Sequence, residues 1–403
     1  MAKATQRDLA LYIHVPFCQS RCSYCDFYST SGHECADQMM DAYCDVLCAQ
    51  IVQWGSGDFI RVGDDDANCT FSDMPVNAPV TSIYIGGGTP TLLGARLCAL
   101  LDAITQNFTL ADDCEITVEA NPESFDAQLA TQLATAGMTR ISLGIQSLDD
   151  DILCLLGRVH SAKDAMCALR AAAGAGLRVS ADFIFGLPRA DGGDDSIETV
   201  LAGIQAVLPY VGHVSVYPLT VEDGTALSQQ VGAGTIYLPG QDIAADELVR
   251  IEDYLRAQGF TRYEISSYAV PGQESRQNMR YWTCAAMRGD YLGLGPSAAS
   301  MINHEDGSRS RFVLHDSIES YLQGTDRVFV DVEKADSSDA RREDIMLALR
   351  TRRGATISAA KMAGVQEICE SLSRQNLLRC NDTHYRCTSK GWLLGNEVFS
   401  QIL

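Results

Sequence analysis

Three cysteines fall within eight residues, Cys18-Gln-Ser-Arg-Cys22-Ser-Tyr-Cys25. Thiols this close together, just past an apolar run, point to a metal or a metal cluster. A structural zinc ion needs four ligands, and His14, four residues before Cys18, could supply the fourth. An iron–sulfur cube has four irons held by thiolates. Three local cysteines would anchor three of them and leave the fourth open to a chelating ligand. The spacing alone admits both readings.

The residues around this triad sit on a regular alternation. Six short segments rich in Ile, Val, Leu or Tyr read as strands: Leu9–Val15, Ser82–Gly86, Glu115–Ala120, Arg140–Gln146, Arg178–Gly186 and His213–Leu219. Several intervals have helical periodicity. Met40, Tyr43, Leu47, Ile51 and Trp54 share one helix face. Ala127–Ala136 is helix-prone with Gly137 as its stop, and the Ala-rich Ala162–Ala173 ends at Gly174. Alternating strand and helix predicts parallel strands with helical crossovers, in an open doubly wound sheet or a barrel. In either topology chemistry gathers at the C-terminal strand ends. That rule places Cys18, Gly87, Glu119, Gln146, Asp182 and Tyr217 around one mouth.

Beyond residue 225 the pattern changes. Asp242–Gln258 reads as an amphipathic helix with Asp242 as N-cap and Gly259 as stop. A Tyr/Gly-rich stretch, Tyr281–Ser300, follows. The last 70 or so residues alternate short helices with a hairpin, Leu377–Thr388, turning at Asn381–Asp382. Arg61–Pro79 and Asp191–Ser196 read as solvated loops.

Composition sets the limits. The chain has 403 residues, 46% apolar and 21% charged, which excludes a disordered or collagen-like polymer. No apolar run approaches the roughly 18 residues of a membrane-spanning helix. Acidic residues outnumber basic ones 52 to 31, and a charge of −21 disfavours nucleic acid as a partner. The dense basic groups, Arg341–Arg342 and Arg350, Arg352, Arg353, read as a solvated helix face. Fifteen cysteines, an odd number with no secretory signal before them, suit a reducing cytoplasm better than a disulfide framework. Cys44 and Cys48 lie beside an apolar helix stripe and read as packing. Cys369, Cys380, Cys387 and His384 leave a second metal site open.

The triad is the C-x3-C-x2-C signature of the radical S-adenosylmethionine enzymes, and further motifs follow in order. These are Tyr12-Ile-His-Val-Pro-Phe-Cys18, Tyr84-Ile-Gly-Gly-Gly-Thr-Pro90, Glu119-Ala-Asn-Pro122, Ser142-Leu-Gly-Ile-Gln146-Ser, Leu156-Gly-Arg158-Val-His160 and Asp182-Phe-Ile-Phe-Gly-Leu-Pro188. Together they resemble the oxygen-independent coproporphyrinogen III oxidase family, in its heme chaperone branch. Tyr263-Glu-Ile-Ser, Asn278-Met-Arg-Tyr-Trp282 and Tyr291-Leu-Gly-Leu-Gly extend the resemblance over nearly the whole chain. It implies an α/β fold: a partial (β/α)6 TIM-like barrel over 1–232, an α+β extension over 233–330, and a small winged-helix-like C-terminal domain over 331–403. It implies a [4Fe–4S] cluster on Cys18, Cys22 and Cys25, with S-adenosylmethionine chelated by the open iron. The binding positions it implies are Tyr12, Tyr24, Gly87, Gly88, Thr89, Glu119, Gln146, Arg158 and Asp182. Glu119 could accept from an ammonium or ribose hydroxyl, Arg158 could hold a carboxylate with its fork, and Asp182 could bind hydroxyls. The glycines would let backbone approach the ligand.

Two features separate the branches. Resemblance to the oxidase requires another cysteine two residues past the third, where this chain has Phe27, and a long arm before the first strand, where about eight residues stand. Both favour a chaperone that binds heme and passes it to acceptor proteins, with an electron donor such as a flavodoxin or ferredoxin serving the cluster. The alternatives are the oxidase or another radical enzyme, and a purely structural iron–sulfur protein. The family motif His-Asn-x-x-Tyr-Trp begins here with Gln277, a poor ligand for heme iron. Other candidates are His304, His315, His213, His160 and Cys284, and Tyr281 and Trp282 could stack on a macrocycle.

Overall fold

The computed structural model describes residues 7–32, 36–57, 77–188, 197–283, 289–314, 317–323 and 329–403. Most of the two expected loops, and both His315 and Cys284, lie outside them.

All six expected strands form: β1 (Asp8–Val15), β2 (Val80–Gly87), β3 (Leu110–Ala120), β4 (Arg140–Gln146), β5 (Arg178–Phe185) and β6 (His213–Pro218). Each pairs in parallel with the next in chain order. This one-way order belongs to a barrel, because a doubly wound sheet reverses order at its switch point. The arc stays open among the described residues. At one end β6 pairs antiparallel with β7 (Ser267–Ala269). At the other, β1 pairs in parallel with β8 (Gly289–Leu294), which leads an antiparallel run of β9 (Ala298–Asn303), β10 (Arg309–Leu314) and β11 (Phe329–Ala335). The Tyr/Gly-rich stretch therefore holds two strands, and its glycines permit close backbone approach. A Cβ at Gly293 would lie 2.5 Å from the Ala299 carbonyl oxygen.

The crossover helices cover the outside of the arc. In α1 (Asp37–Gly55) all five residues of the predicted stripe are buried. Helices α2 (Arg96–Asn107) and α3 (Ala127–Thr135) follow, the latter capped by Asp126, with Gly137 at φ 99° just beyond it. Helix α4 (Ala162–Gly174) starts in a Ser161–Asp164 capping box. It runs through its expected stop at Gly174, and the left-handed residue is Gly176, at φ 77°. Helix α5 spans Ile197–Val207. Helix α6 (Gln241–Ala257) has Gly240 as N-cap, and Asp242 lies inside the first turn, where its charge suits the helix dipole.

Helix α7 (Arg276–Thr283) lies at the N-terminal end of the barrel beside β2. The C-terminal region has its own core, from Ile345 to Ile402. Its order of α8 (Ser337–Leu349), strand, two helices and a hairpin around a three-stranded antiparallel sheet is that of a winged helix. The hairpin turns where expected, with Asn381 Oδ1 accepting from the Thr383 and His384 amides. The basic groups depart from a uniform solvated face. Arg341, Arg352 and Arg353 are exposed, but the Arg350 guanidinium lies 4.8 Å from the Phe399 ring centre and 5.3 Å from that of Trp282.

Candidate functional site

The cysteine loop leaves β1 and is pinned at both ends. Phe17–Cys18 pairs with Thr30–Ser31, and the Thr30 amide donates to Pro16 O at 2.7 Å. His14, at the end of β1, meets the Tyr28 carbonyl through Nε2 and the Tyr12 hydroxyl through Nδ1, both at 3.0 Å. Both ring nitrogens are engaged, so His14 braces the loop and is not a fourth metal ligand. The three thiols are half-buried and form no disulfide. Among the described residues no three His, Cys, Asp or Glu side chains gather around one ion, as a zinc site requires. A donor set of thiols alone, spread along one loop, suits a cluster in which each thiolate holds a different iron.

The loop forms one wall of a cavity of about 430 Å³. The opposite wall is the row of strand ends, and all six residues placed there by topology, Cys18, Gly87, Glu119, Gln146, Asp182 and Tyr217, line it. Glu119 accepts from the Tyr84 hydroxyl at 2.6 Å and the Gly87 amide at 3.1 Å. Burial, with a smaller push from Asp182, raises its pKa to about 7. Asp182 accepts from Ser142 at 2.9 Å and Ser180 at 3.2 Å, and burial raises its pKa as well. Gln146 follows a register shift and sits at φ 62°, a left-handed backbone that is strained for a non-glycine residue.

The glycine triplet is demanded by the protein itself. A Cβ on Gly86 would lie 2.9 Å from Glu119 Oε2, and one on Gly88 would lie 2.5 Å from Phe17 O and 3.0 Å from Cys18 Sγ. Without side chains, the end of β2 can lie against both the carboxylate and the cysteine loop, while Gly87 and Gly88 still line the cavity.

Residues 12–199 match the Radical SAM superfamily. Over its whole length the chain is 33% identical to the heme chaperone HemW of Mycobacterium tuberculosis H37Rv, spanning 97% of that protein. It is 31% identical to the heme chaperone HemW of Escherichia coli K12, over 98% of each chain. The chain belongs to the HemW family. The solved coproporphyrinogen III oxidase HemN of Escherichia coli shares its fold, with a TM-score of 0.78 at 21% identity over all of this chain and 91% of that one. The cofactors of the radical SAM superfamily are a [4Fe–4S] cluster and S-adenosylmethionine.

Within this HemW-family scaffold, several expected residues take other positions. Tyr24 and Arg158 line the cavity, but the Arg158 fork is already engaged. Its Nη1 donates to Cys22 Sγ at 3.2 Å, and its Nη2 donates to Asn121 Oδ1 at 2.6 Å and Gly144 O at 3.1 Å. Arg158 therefore steadies the cysteine loop and is not a free carboxylate clamp. Tyr12 and Thr89 do not line the cavity. The Tyr12 ring stacks on Tyr84 with centroids 6.4 Å apart. Thr89 is buried, accepts from Asn121 at 2.9 Å and donates weakly to Cys18 Sγ at 3.8 Å. Tyr84, Asn121 and Ser142 complete the site. Each stands inside a motif legible in the sequence, but only the fold shows which member turns inward.

The heme-ligand candidates are mostly committed elsewhere. Gln277 is fully buried, accepting from Ser82 at 2.7 Å and donating to Tyr281 at 2.9 Å. His213 bonds Ser180 and Tyr263 through its two nitrogens, and burial holds its pKa well below the usual value. His160 is buried against Ile145 O and Glu123. His304 bonds Ser310 at 2.8 Å. Trp282 donates to Glu264, and Tyr281 meets Tyr291 edge-on, so both work inside the protein. Cys44 and Cys48 pack against the main core. Cys369 and Cys387 are buried in the C-terminal core while Cys380 is exposed, and they form no metal site with His384 among the described residues.

Proposed function

We propose that the protein is a heme chaperone built on a radical SAM scaffold. In this reading Cys18, Cys22 and Cys25 hold three irons of a [4Fe–4S] cluster, and S-adenosylmethionine docks beside them in the strand-end cavity. Heme is bound by the chain and handed to acceptor proteins. The observation that carries the reading is the relation to chaperones over the full length, extension and C-terminal region included. Phe27 supports it, standing exposed on the cavity rim where the oxidase branch would have a further cysteine.

When bound and reduced, the cluster supplies one electron to cleave a sulfonium ligand. The residues of this chain do the positioning. Glu119, with a pKa near neutrality, accepts an ammonium or hydroxyl hydrogen. Asp182, cradled by serines, accepts hydroxyls. Tyr24 walls the cavity, and Arg158 balances thiolate charge at Cys22. A flavodoxin or ferredoxin is the matching class of electron donor, and the cytoplasm is the matching compartment. No described helix is long and apolar enough to cross a membrane.

The test is an anaerobic heme titration of cluster-loaded protein, followed by mixing with an apo heme protein. Saturable uptake and transfer are expected. Absence of uptake removes the chaperone reading, and conversion of coproporphyrinogen III to protoporphyrinogen would replace it with the oxidase.

A further inference from the structure

The C-terminal region meets the barrel extension along a seam that holds a second kind of chemistry. A cavity of about 260 Å³ there is lined by Arg256, Arg262, Arg352 and Arg379, with Trp392 in its wall and Glu252 as its single carboxylate. Arg352 also lines an adjoining cavity with Arg353 and Arg386, where Glu274 is the one carboxylate against three arginines. In a chain of net charge −21 this is an island of the opposite sign.

The existing partners do not neutralise it. Glu252 pairs with Arg262 at 3.1 Å, and Arg256 pairs with Asp253. Arg352, Arg353, Arg379 and Arg386 have no carboxylate partner among the described residues. Arg379 and Arg386 stand directly opposite each other on the hairpin, a like-charge cross-strand pair that destabilises the sheet by itself. Arg262, with its side chain 7% exposed, is held rigid under Trp392, its guanidinium 4.5 Å from the ring centre, and its buried Nε has no hydrogen-bond partner. The nearby His384 feels the field: desolvation, then Arg386 and Arg353, hold its pKa below the ordinary value.

We propose that this seam binds a small molecule bearing at least two carboxylate or phosphate groups. Arginine forks match both oxyanions, and two adjoining cavities sharing Arg352 accommodate two anionic groups on one ligand. A bound anion would neutralise the Arg379–Arg386 repulsion and give these arginines the charged partner that the Arg353 carbonyl, which accepts from Arg386 Nε at 3.0 Å, does not supply. The site is separate from the cysteine cavity and stands whether or not the chain carries heme.

The experiment is a calorimetric titration of the full chain at physiological ionic strength with two probes, pyrophosphate and a metal-free porphyrin dicarboxylate. Saturable binding of at least one is expected, weakened about tenfold by Arg352→Gln and by Arg379→Gln. Both side chains are exposed, so the fold survives their loss. Proton NMR should show the His384 pKa rising on binding. Pyrophosphate alone assigns a phosphate-bearing ligand, porphyrin alone a tetrapyrrole carboxylate, and both a general oxyanion site. No saturable binding, or binding indifferent to both substitutions, overturns the proposal.

Discussion

Both ends of the barrel carry polar side chains, but they are opposite in character. At the N-terminal end buried charges are held in ion pairs. Glu115 accepts from Arg178 at 3.0 Å and from the Arg276 amide at 2.9 Å, and Asp8 takes both arms of Arg280 at 2.7 and 2.8 Å. Gln277 and His213 belong to this sealed network. At the C-terminal end Glu119, Gln146 and Asp182 turn toward open space, and three thiols face them. Polar density therefore does not mark the site; hydrogen-bonding capacity left facing a cavity does. The family-motif position at Gln277 lies on the sealed side, which counts against it as a heme ligand.

The comparison can be broken most sharply at the open end. Cys22→Ala should abolish the visible absorption and electron paramagnetic resonance of the cluster while the apo-protein stays folded, losing only about 1–2 kcal/mol with the Arg158 hydrogen bond to its sulfur. Unfolding of that variant would make the cysteines structural and erase the contrast.

Glu119→Gln comes next. A carboxyl whose pKa rises on folding, here from 4.5 to about 7, binds its proton more tightly in the folded state. Its stability cost is absent at low pH, grows as pH rises from about 4.5, and is complete above about 7, on the order of 3 kcal/mol. The substitution should flatten the decline of apo stability across that range and weaken S-adenosylmethionine binding at least tenfold, as read by chemical denaturation and equilibrium binding at pH 5 and 8. An unchanged slope would mean that Glu119 is solvated like an ordinary carboxylate.

Gly88→Ala should cost about 1–3 kcal/mol and lower cluster occupancy, since its methyl meets Phe17 O and Cys18 Sγ. Iron analysis of reconstituted protein checks this. The smallest functional effect is expected at the sealed end. Gln277→His should leave heme uptake unchanged while costing about 1–2 kcal/mol from disturbed bonds to Ser82 and Tyr281. A gain in heme affinity would show that α7 opens.

The open end was far more legible in the sequence than the sealed one. Strand ends are punctuated by Gly, Gln and Asn, and parallel topology brings such ends together, so the ring from Cys18 to Tyr217 followed from one-dimensional pattern alone. The α1 stripe was legible for the same reason, a period of 3.6. What stayed hidden depended on partners remote in sequence. Nothing near Arg158 shows that its guanidinium meets Cys22, 136 positions away. Tyr12 and Tyr24 look alike as aromatic neighbours of the triad, yet only Tyr24 reaches the cavity. The strand Gly289–Leu294 was hidden by its two glycines, which lower strand propensity while allowing close backbone contact.

The pairing of β1 with both β2 and β8 bears on how the protein is made. Val15 leaves the ribosome about 270 residues before Gly289, the start of the strand that covers its second edge. At typical elongation rates of about 5–20 residues per second, that edge stays bare for roughly 15–60 s. An uncovered apolar strand is a template for wrong pairing. The nascent chain thus carries its cysteine loop beside an uncovered strand edge for most of its synthesis. Chains stalled before residue 289 should depend on holding factors that complete chains do not need.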